Sequence, residues 1–490
     1  MATVLLVEDD PDQLELRRMI LEQAGHTVYA ADGVAQALAQ PAAGVAVVDL
    51  RIPAAADGLG LLEQLKERNP AMKCVVLTGW KQDLADLPAN VEQVLEKPVR
   101  TKALLAHVAR LALLLVAGLF GLPAAEYVAN LHLAAPGTDW EAKGRESVVA
   151  DVEVDGKVQQ QVMLYAGARP HLYRVFLGEA EAPPKVTVKG RGVVVNRIDV
   201  ETAPDYAAYA PVLFERKNAI GRFTDIPLLT YAERLTENGR PVLQFSVIFS
   251  NEDGGTSTRS LMARWGRTTD IEYVYRAYLR PDGSVEKAIV QGRDHKDLEF
   301  TGPYWGKHPM LMPVTDNNMV AGEGPSAVRY QPAPVLADLS QASREAVMDA
   351  NPVTWLVMTS ELVREGKLRP YGVERGEDIS DPRNYLYIEA NVQPGRAAIA
   401  FAVLHANGRY YYSHKGRPRD AIERAGWVRS TVELPPGTKA SDLRTITPLC
   451  VYLPKSPSDV SCGPTTIKSL FFLTPEKLPG PAFQLPLGNN

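Results

Sequence analysis

The stretch Val45-Ala-Val-Val-Asp-Leu-Arg-Ile-Pro53 sets four apolar residues in a row before a single carboxylate, Asp49, and closes on a proline. An uninterrupted apolar run of this length is the pattern of a strand buried on both faces, as in a parallel sheet. In an open α/β sheet, ligands are met outside the carboxyl ends of the strands. Asp49 at such an end is placed to meet a ligand. The competing explanation is an aspartate that merely starts a turn, and the neighbouring segments decide between the two.

Working outward, Thr3 to Val7 is a short apolar run ending in Glu8, Asp9 and Asp10. Pro11 comes next at a first-turn position, with Asp10 as the N-cap. Leu16, Ile20 and Ala24 recur at helical spacing, predicting a helix that packs on that face and stops at Gly25. Thr27 to Ala31 reads as a second strand, followed by a turn at Asp32-Gly33 and a short helix to Gln40. After Asp49 comes a loop through Asp57-Gly58 and a helix from Leu59 to Arg68. Cys74 to Leu77 is a fourth strand ending in Thr78-Gly79, and Val91 to Leu95 a fifth ending in Glu96-Lys97-Pro98. A last helix starts near Thr101 and reaches about Arg110.

Strands and helices alternating at this spacing predict a doubly wound α/β fold with a five-stranded parallel sheet. Right-handed crossovers put every strand's carboxyl end on one edge. That edge gathers Glu8, Asp9, Asp49, Thr78 and Lys97. Three carboxylates can hold one hard cation, and Mg²⁺ favours a couple of carboxylates together with phosphate oxygens. With Lys97 and the metal neutralising charge, Asp49 is a carboxylate nucleophile for a phosphoryl group. Thr78 and Lys97 can each meet a phosphoryl oxygen.

On these residues, positions 1 to about 110 resemble the receiver domain of bacterial two-component response regulators, a flavodoxin-like fold. Glu8-Asp9 stands where that family has its acidic pair, Asp49 where it has its phosphoacceptor, Thr78-Gly79 and Lys97-Pro98 after the fourth and fifth strands. The resemblance implies Mg²⁺ bound directly by Asp9, Asp49 and the backbone carbonyl of Arg51, with Glu8 acting through water. It also implies a cis Lys97-Pro98 peptide and, as partner, a sensor histidine kinase or phosphotransfer protein. Two departures stand out. Val94 occupies the place of the family's Tyr or Phe, three residues before Lys97. The loop from Pro53 to Gly58 is one residue longer than usual.

Residues Leu111 to Ala125 carry no charged or strongly polar side chain, with Arg100, Lys102 and Arg110 before them. The run is shorter than the roughly 18–20 residues of a spanning helix but within the length of a signal-peptide core. Two arrangements are open for this 111–128 connector. It is either the last receiver helix running on into a buried link, or a signal-anchor-like segment that associates with a membrane and exports the C-terminal region.

From there on the pattern is β-rich. Candidate strands are Ala150 to Val154, Val158 to Leu164, Leu172 to Leu177, Val242 to Phe249 and Ala397 to Leu404. Ile271 to Leu279 and Val285 to Val290 flank Pro281-Asp-Gly283 as a hairpin. The Pro-rich stretch Gln331 to Pro334 divides a β-rich domain, 129–330, from a β-sandwich-like domain, 331–490, that opens with helices Ser340 to Ala350 and Trp355 to Arg364. Such sandwiches often bind glycans or proteins. An exported glycan- or protein-binding sandwich with an incidental receiver is therefore the alternative to a signalling function. The turn Ser250 to Thr256 is rich in oxygen donors but lacks EF-hand spacing. Arg264-Trp265-Gly-Arg267 to Asp270, His295, His308 and Asp316 to Asn318 could line one pocket, with Trp265 and Trp305 stacking on a sugar.

The bulk properties agree. At 490 residues, 46% hydrophobic and 23% charged, the chain has ample material for several cores. A net charge of -5 gives no basic stripe, so no nucleic-acid partner is expected. The acidic N-terminus is no signal peptide, which predicts a cytoplasmic receiver. No H-E-x-x-H, G-x-S-x-G, phosphate loop or paired-cysteine zinc spacing occurs, so the chain is not expected to be an enzyme, while a carbohydrate-active β-rich part stays open as a third reading. Cys450 and Cys462 bracket a short loop with Pro454 and Pro457 and are expected to bridge only in an oxidising compartment.

Overall fold

The structure is a computed structural model. It describes residues 2–70, 72–79, 91–120, 124–252, 254–322, 326–454, 456 and 461–488. Residues 121–123 of the apolar connector, Asp253 and Pro457 lie outside the described residues. The chain forms two compact units, Met1–Ala124 and Ala125–Asn490.

In the first unit, β1 (Thr3–Val7), β2 (Thr27–Ala31), β3 (Val45–Asp49), β4 (Lys73–Thr78) and β5 (Val91–Glu96) form a parallel sheet in the order β2-β1-β3-β4-β5. Helices α1 (Pro11–Gln23), α2 (Val34–Ala39), α3 (Ala55–Arg68) and α4 (Thr101–Phe120) complete it. Alternation along the strands builds two cores. Leu5, Val7, Ala46 and Val48 pack with Leu61 and Leu65 of α3, while Val4, Leu6, Val45 and Val47 pack with Leu21 of α1 and Val108 of α4. All five residues of β3 are buried, as its apolar run requires. Each fully buried Val or Leu contributes roughly 1.5–3 kcal/mol.

Asp10 caps α1 by accepting from the amides of Asp12 at 3.0 Å and Gln13 at 3.1 Å. The buried line on α1 differs from the expected Leu16–Ile20–Ala24 face. Leu16 is 51% exposed, whereas Arg17 and Leu21 are buried. The periodicity of apolar residues failed because Arg17 has a buried carboxylate to meet. Helix α3 starts at Ala55, four residues before the expected Leu59, and Asp57 accepts from the Ala54 amide at 3.2 Å in its first turn. That early start presses Gly58 against β3: a Cβ there would lie 2.0 Å from the Leu50 carbonyl oxygen. Helix α4 runs on through most of the apolar segment, ten residues past the expected end. Among the described residues no helix is long and apolar enough to cross a membrane. Cys74 is buried in β4, and burial pushes its thiol up to about 12.

The second unit is built from antiparallel sheets. The largest runs in the order Lys296–Glu299, Val285–Gly292, Ile271–Leu279, Arg240–Phe249, Pro227–Glu237 and Val335–Leu336, the last strand joining in parallel. It contains the expected hairpin, with Leu279 opposite Val285. Two three-stranded sheets, centred on Tyr385–Val392 and Ala398–His405, share an apolar cluster that includes Ile388, Val392, Phe401 and Val403. Residues on both sides of Gln331–Pro334 also share a cluster, in which Tyr231 and Ile271 pack with Trp355, Tyr387 and Phe471. Of the expected helix Ser340 to Ala350, only Ala346–Ala350 is helical. The helix Val353–Arg364 ends as expected before Gly366, whose φ of 65° is the left-handed cap conformation. Cys450 and Cys462 form a disulfide with Cα atoms 5.6 Å apart.

Candidate functional site

Four strand ends of the first unit carry the residues singled out from the sequence. β1 delivers Glu8 and Asp9, β3 ends on Asp49, β4 ends on Thr78, and β5 leads into Lys97. The ends are tied by backbone hydrogen bonds: Glu8 N donates to Ala31 O at 3.1 Å, Leu50 N to Leu77 O at 2.9 Å, and Lys97 N to Thr78 O at 2.8 Å. A parallel ladder in register makes this convergence unavoidable once the strands are chosen.

The side chains meet as well. Carboxylate oxygens of Glu8, Asp9 and Asp49 all lie within 4.8 Å of one another. Lys97 Nζ donates to Asp49 Oδ2 at 2.6 Å and stands 3.3 Å from both oxygens of Glu8. Glu8 is 1% exposed, Thr78 4% and Asp49 6%, whereas Asp9 faces solvent. The Arg51 amide donates to Asp49 Oδ1 at 3.3 Å, which fixes the carboxylate's orientation. The Lys97-Pro98 peptide is cis, and so is Ile52-Pro53, which the sequence did not suggest. Val94 is half-buried against the core formed with α2 and α3.

One residue in contact with the site escaped the sequence analysis. Arg17 of α1 forms a buried ion pair with Glu8 Oε2. Burial lowers the Arg17 pKa, opposed by the charge of Asp49. Its only trace in the sequence is position: with Leu21 it lies on one helical face, four residues apart. Glu8 is thus flanked by two cations, while Asp9 and Asp49 remain the carboxylates with room for another.

The pocket fits a hard divalent cation. Octahedral Mg²⁺ binds oxygens at about 2.0–2.1 Å, which separates neighbouring and opposite ligands by roughly 3–4 Å. The spacing of the three carboxylates is of that order. Elsewhere, Trp265, Arg267, Asp270, His295 and Asn317 do line one cavity of the second unit. Trp305 and His308 do not join it. His308 is buried, stacked on Phe176 at 4.2 Å and 3.3 Å from Glu126, and Trp305 stacks beside it.

Comparison with known proteins places the family resemblance on residues 4–109, which match the response regulator receiver domain model. The chain is 35% identical over 117 residues to the C4-dicarboxylate transport transcriptional regulatory protein DctD of Pseudomonas aeruginosa, covering 22% of this chain and 24% of that protein. It is 40% identical over 82 residues to the photosynthetic apparatus regulatory protein RegA of Cereibacter sphaeroides, covering 16% and 44%. It therefore spans less than half the length of either relative. Among solved structures, a CheY-like receiver domain protein from Methanospirillum hungatei is 26% identical, with 24% of this chain and 98% of that one covered and a TM-score of 0.23. TrrA of Thermotoga maritima, solved with Mg²⁺ and BeF, is 22% identical over 23% of this chain and 99% of its own, with a TM-score of 0.21. These matches cover the N-terminal segment only, and that segment, residues 4–109, is a response regulator receiver domain.

Proposed function

We propose that the chain is a phosphoacceptor response regulator in a two-component phosphorelay, taking a phosphoryl group on Asp49. The observation that carries this is the Lys97 ammonium 2.6 Å from Asp49, beside a three-carboxylate cluster open to a cation. Asp9, Asp49 and the Arg51 carbonyl would hold Mg²⁺, with Glu8 assisting through water. The cation would offset negative charge on the incoming phosphoryl oxygens and lower the repulsion that Asp49 meets.

The chain's own residues supply the rest. An Asp49 oxygen attacks phosphorus, the P–N bond of a phosphohistidine donor breaks, and the imidazole leaves with its electron pair and takes up a proton. Lys97 pairs with a phosphoryl oxygen, and the Thr78 hydroxyl donates to another. The product, an acyl phosphate, biases a two-state equilibrium of the receiver. The donor is a sensor histidine kinase or a phosphotransfer protein, which puts the receiver in the cytoplasm. We further infer that the two sheets centred on Tyr385–Val392 and Ala398–His405 pack as a β-sandwich, and that residues 129–330 and 331–490 are the output region. Val94 in place of an aromatic ring means that Thr78 has no aromatic reporter on β5.

The test is treatment of the full chain with a small phosphodonor and Mg²⁺, followed by mass spectrometry and hydrogen exchange. One phosphoryl group should appear on Asp49, with exchange changes near Thr78 and Lys97. Asp49→Ala should remain unlabelled. Equal labelling of Asp49→Ala, or no labelling of the wild type, would refute the assignment.

A further inference from the structure

The β-rich unit holds a polar cavity of about 860 Å³. Its walls come from Pro227–Glu237, Arg240–Phe249 and Ile271–Leu279 of the large sheet, from the helix Thr258–Trp265, and from segments around Arg344 and Arg424. This volume lies within the range of small-molecule sites.

Five arginines, Arg264, Arg267, Arg276, Arg344 and Arg424, reach the cavity. Three of them are committed to the fold, Arg276 by donating to Gln244 Oε1 at 2.7 Å. Arg267 is 3% exposed and pairs with Glu345 at 2.9 Å, and Arg344 donates to the Ile271 carbonyl at 2.6 Å. The other two are not. Arg264 and Arg424 are half-buried, and among the described residues neither has a hydrogen bond or an ion-pair partner. Both instead stack on Trp265, with guanidinium carbons 4.3 and 5.5 Å from the ring centroid. Stacking on an aromatic face orients a guanidinium but does not supply a counter-charge. Burial lowers the Arg264 pKa, and the charges of Glu423 and Asp420 oppose this without offsetting it. The arginines also act on Glu345. Burial alone would raise its pKa, yet Arg267, Arg424, Arg344 and Arg429 hold it at about 2. Arg424 is itself pushed down to about 10, first by burial and then by its arginine neighbours, with Glu345 opposing. A desolvated cation without a paired anion is costly to keep. Here two are kept, side by side, at the wall of one cavity.

The same cavity carries the complementary groups. Glu272 accepts from Gln291 Nε2 at 2.9 Å, and Asp270 from Asn318 Nδ2 at 2.9 Å. Burial, followed by the charge of Asp270, pushes Glu252 up to about 8 and Glu272 up to about 7. Near neutral pH these are in large part carboxylic acids, able to donate a hydrogen bond as well as accept one. Gln291 is 5% exposed, and its Oε1 has no hydrogen-bond partner. Trp265 and Trp427 add flat apolar faces.

We propose that this cavity is a binding site for a sugar acid, its carboxylate held by Arg264 and Arg424 and its hydroxyls by Glu252, Glu272 and Gln291. A neutral sugar would leave both guanidiniums without a counter-charge. A bare inorganic oxyanion would satisfy the arginines but leave the carboxylic acids and Gln291 unused. Only a ligand with both an anionic end and a hydroxylated body matches every wall.

The test is isothermal titration calorimetry of the full chain with D-glucuronate, D-glucose and inorganic sulfate. Glucuronate should bind saturably and at least about ten-fold more tightly than either of the others, because both kinds of contact are needed. Arg424→Met and Arg264→Met should each weaken glucuronate by about ten-fold or more. Since neither arginine has a hydrogen-bond or ion-pair partner among the described residues, and Met keeps an apolar contact with Trp265, both variants should unfold at or above the wild-type temperature when no ligand is added. The proposal is overturned by an absence of saturable heat with all three compounds, by sulfate or glucose matching glucuronate, or by Arg424→Met binding as the wild type does. A marked fall in the melting temperature of both variants would also overturn it, by showing that these arginines serve the fold.

Discussion

Replacing Arg17 by Met probes how the phosphoacceptor pocket balances its charge. Arg17 is 9% and Glu8 1% exposed at the side chain, so the substitution strips a buried carboxylate of one of its two cations. Breaking a buried ion pair by removing one partner costs about 3–5 kcal/mol. Lys97 remains at 3.3 Å from Glu8 and is itself 29% exposed, which argues for the lower end, about 3 kcal/mol. A divalent cation in the same cluster should recover most of that loss. At a hundred-fold excess over its dissociation constant, a ligand of the folded state stabilises by about 2.7 kcal/mol. The assay is hydrogen exchange of the Glu8 and Leu50 amides, which bond to Ala31 and Leu77 across the sheet. In a chelator, Arg17→Met should speed their exchange by about a hundred-fold, and saturating Mg²⁺ should bring it back to near the wild-type rate. Unchanged exchange in the chelator would refute the structural role of the pair. Accelerated exchange that Mg²⁺ leaves untouched would refute the claim that the metal and Arg17 serve the same carboxylates.

Three other outcomes are expected. Gly58→Ala should destabilise the receiver by about 3 kcal/mol, because its Cβ would sit 2.0 Å from the Leu50 oxygen; urea unfolding followed by exchange in β3 checks this, and a neutral effect would mean α3 can shift freely. Reducing the Cys450–Cys462 bridge, with 12 residues of sequence separation, should cost the β-rich unit about 3 kcal/mol in a denaturant titration, and thiol labelling should require reductant. The Glu361 pKa is raised from 4.5 to about 7, chiefly by burial, with Arg364 and the Trp140 indole opposing; Glu365 and Lys367 are its other charged neighbours, and Glu146 pairs with Arg364. Between those two values the folded chain keeps a proton that the unfolded chain has released. Stability should therefore fall as pH rises through that window, and Glu361→Gln should flatten the slope; an unaltered slope in the variant would assign it to other groups.

What could be taken from the sequence, and what could not, divides along a physical line. A strand buried on both faces must be apolar throughout, and its end must be where polarity returns, so Val45–Asp49 announces both its burial and its candidate site residue within five letters. The same holds for the ends at Glu8, Thr78 and Lys97, and parallel register then brings them together with no further information. Arg17 could not be recovered in this way. An amphipathic-helix rule assigns the buried face to apolar residues, and it chose Leu16, which is 51% exposed, over an arginine whose burial depends on a carboxylate nine residues earlier. The start of α3 was missed for a related reason: nothing in Ala54-Ala-Ala-Asp57 is periodic, and what fixes the helix is the Asp57 cap and the close approach of Gly58 to Leu50.

The cavity of the β-rich unit lies furthest beyond local pattern. Of the residues grouped from the sequence, Arg264, Trp265, Arg267, Asp270, His295 and Asn317 line it and Trp305 and His308 do not, while Arg344 and Arg424 come from some eighty and one hundred and sixty residues beyond Arg264, and only the folded chain brings them to the same cavity. The distinction bears on function. In the receiver, Lys97 and Arg17 each have an anion within the fold, Asp49 and Glu8, so under the proposed function a phosphoryl group enters by displacing an existing balance. In the β-rich unit the balance is left open at Arg264 and Arg424, and an anion can enter without displacing anything. A site that must be rearranged to be filled suits a switch, because its occupancy changes the contacts of the protein around it. A site whose counter-charge is missing from the start suits recognition, because its empty form is already organised for the ligand.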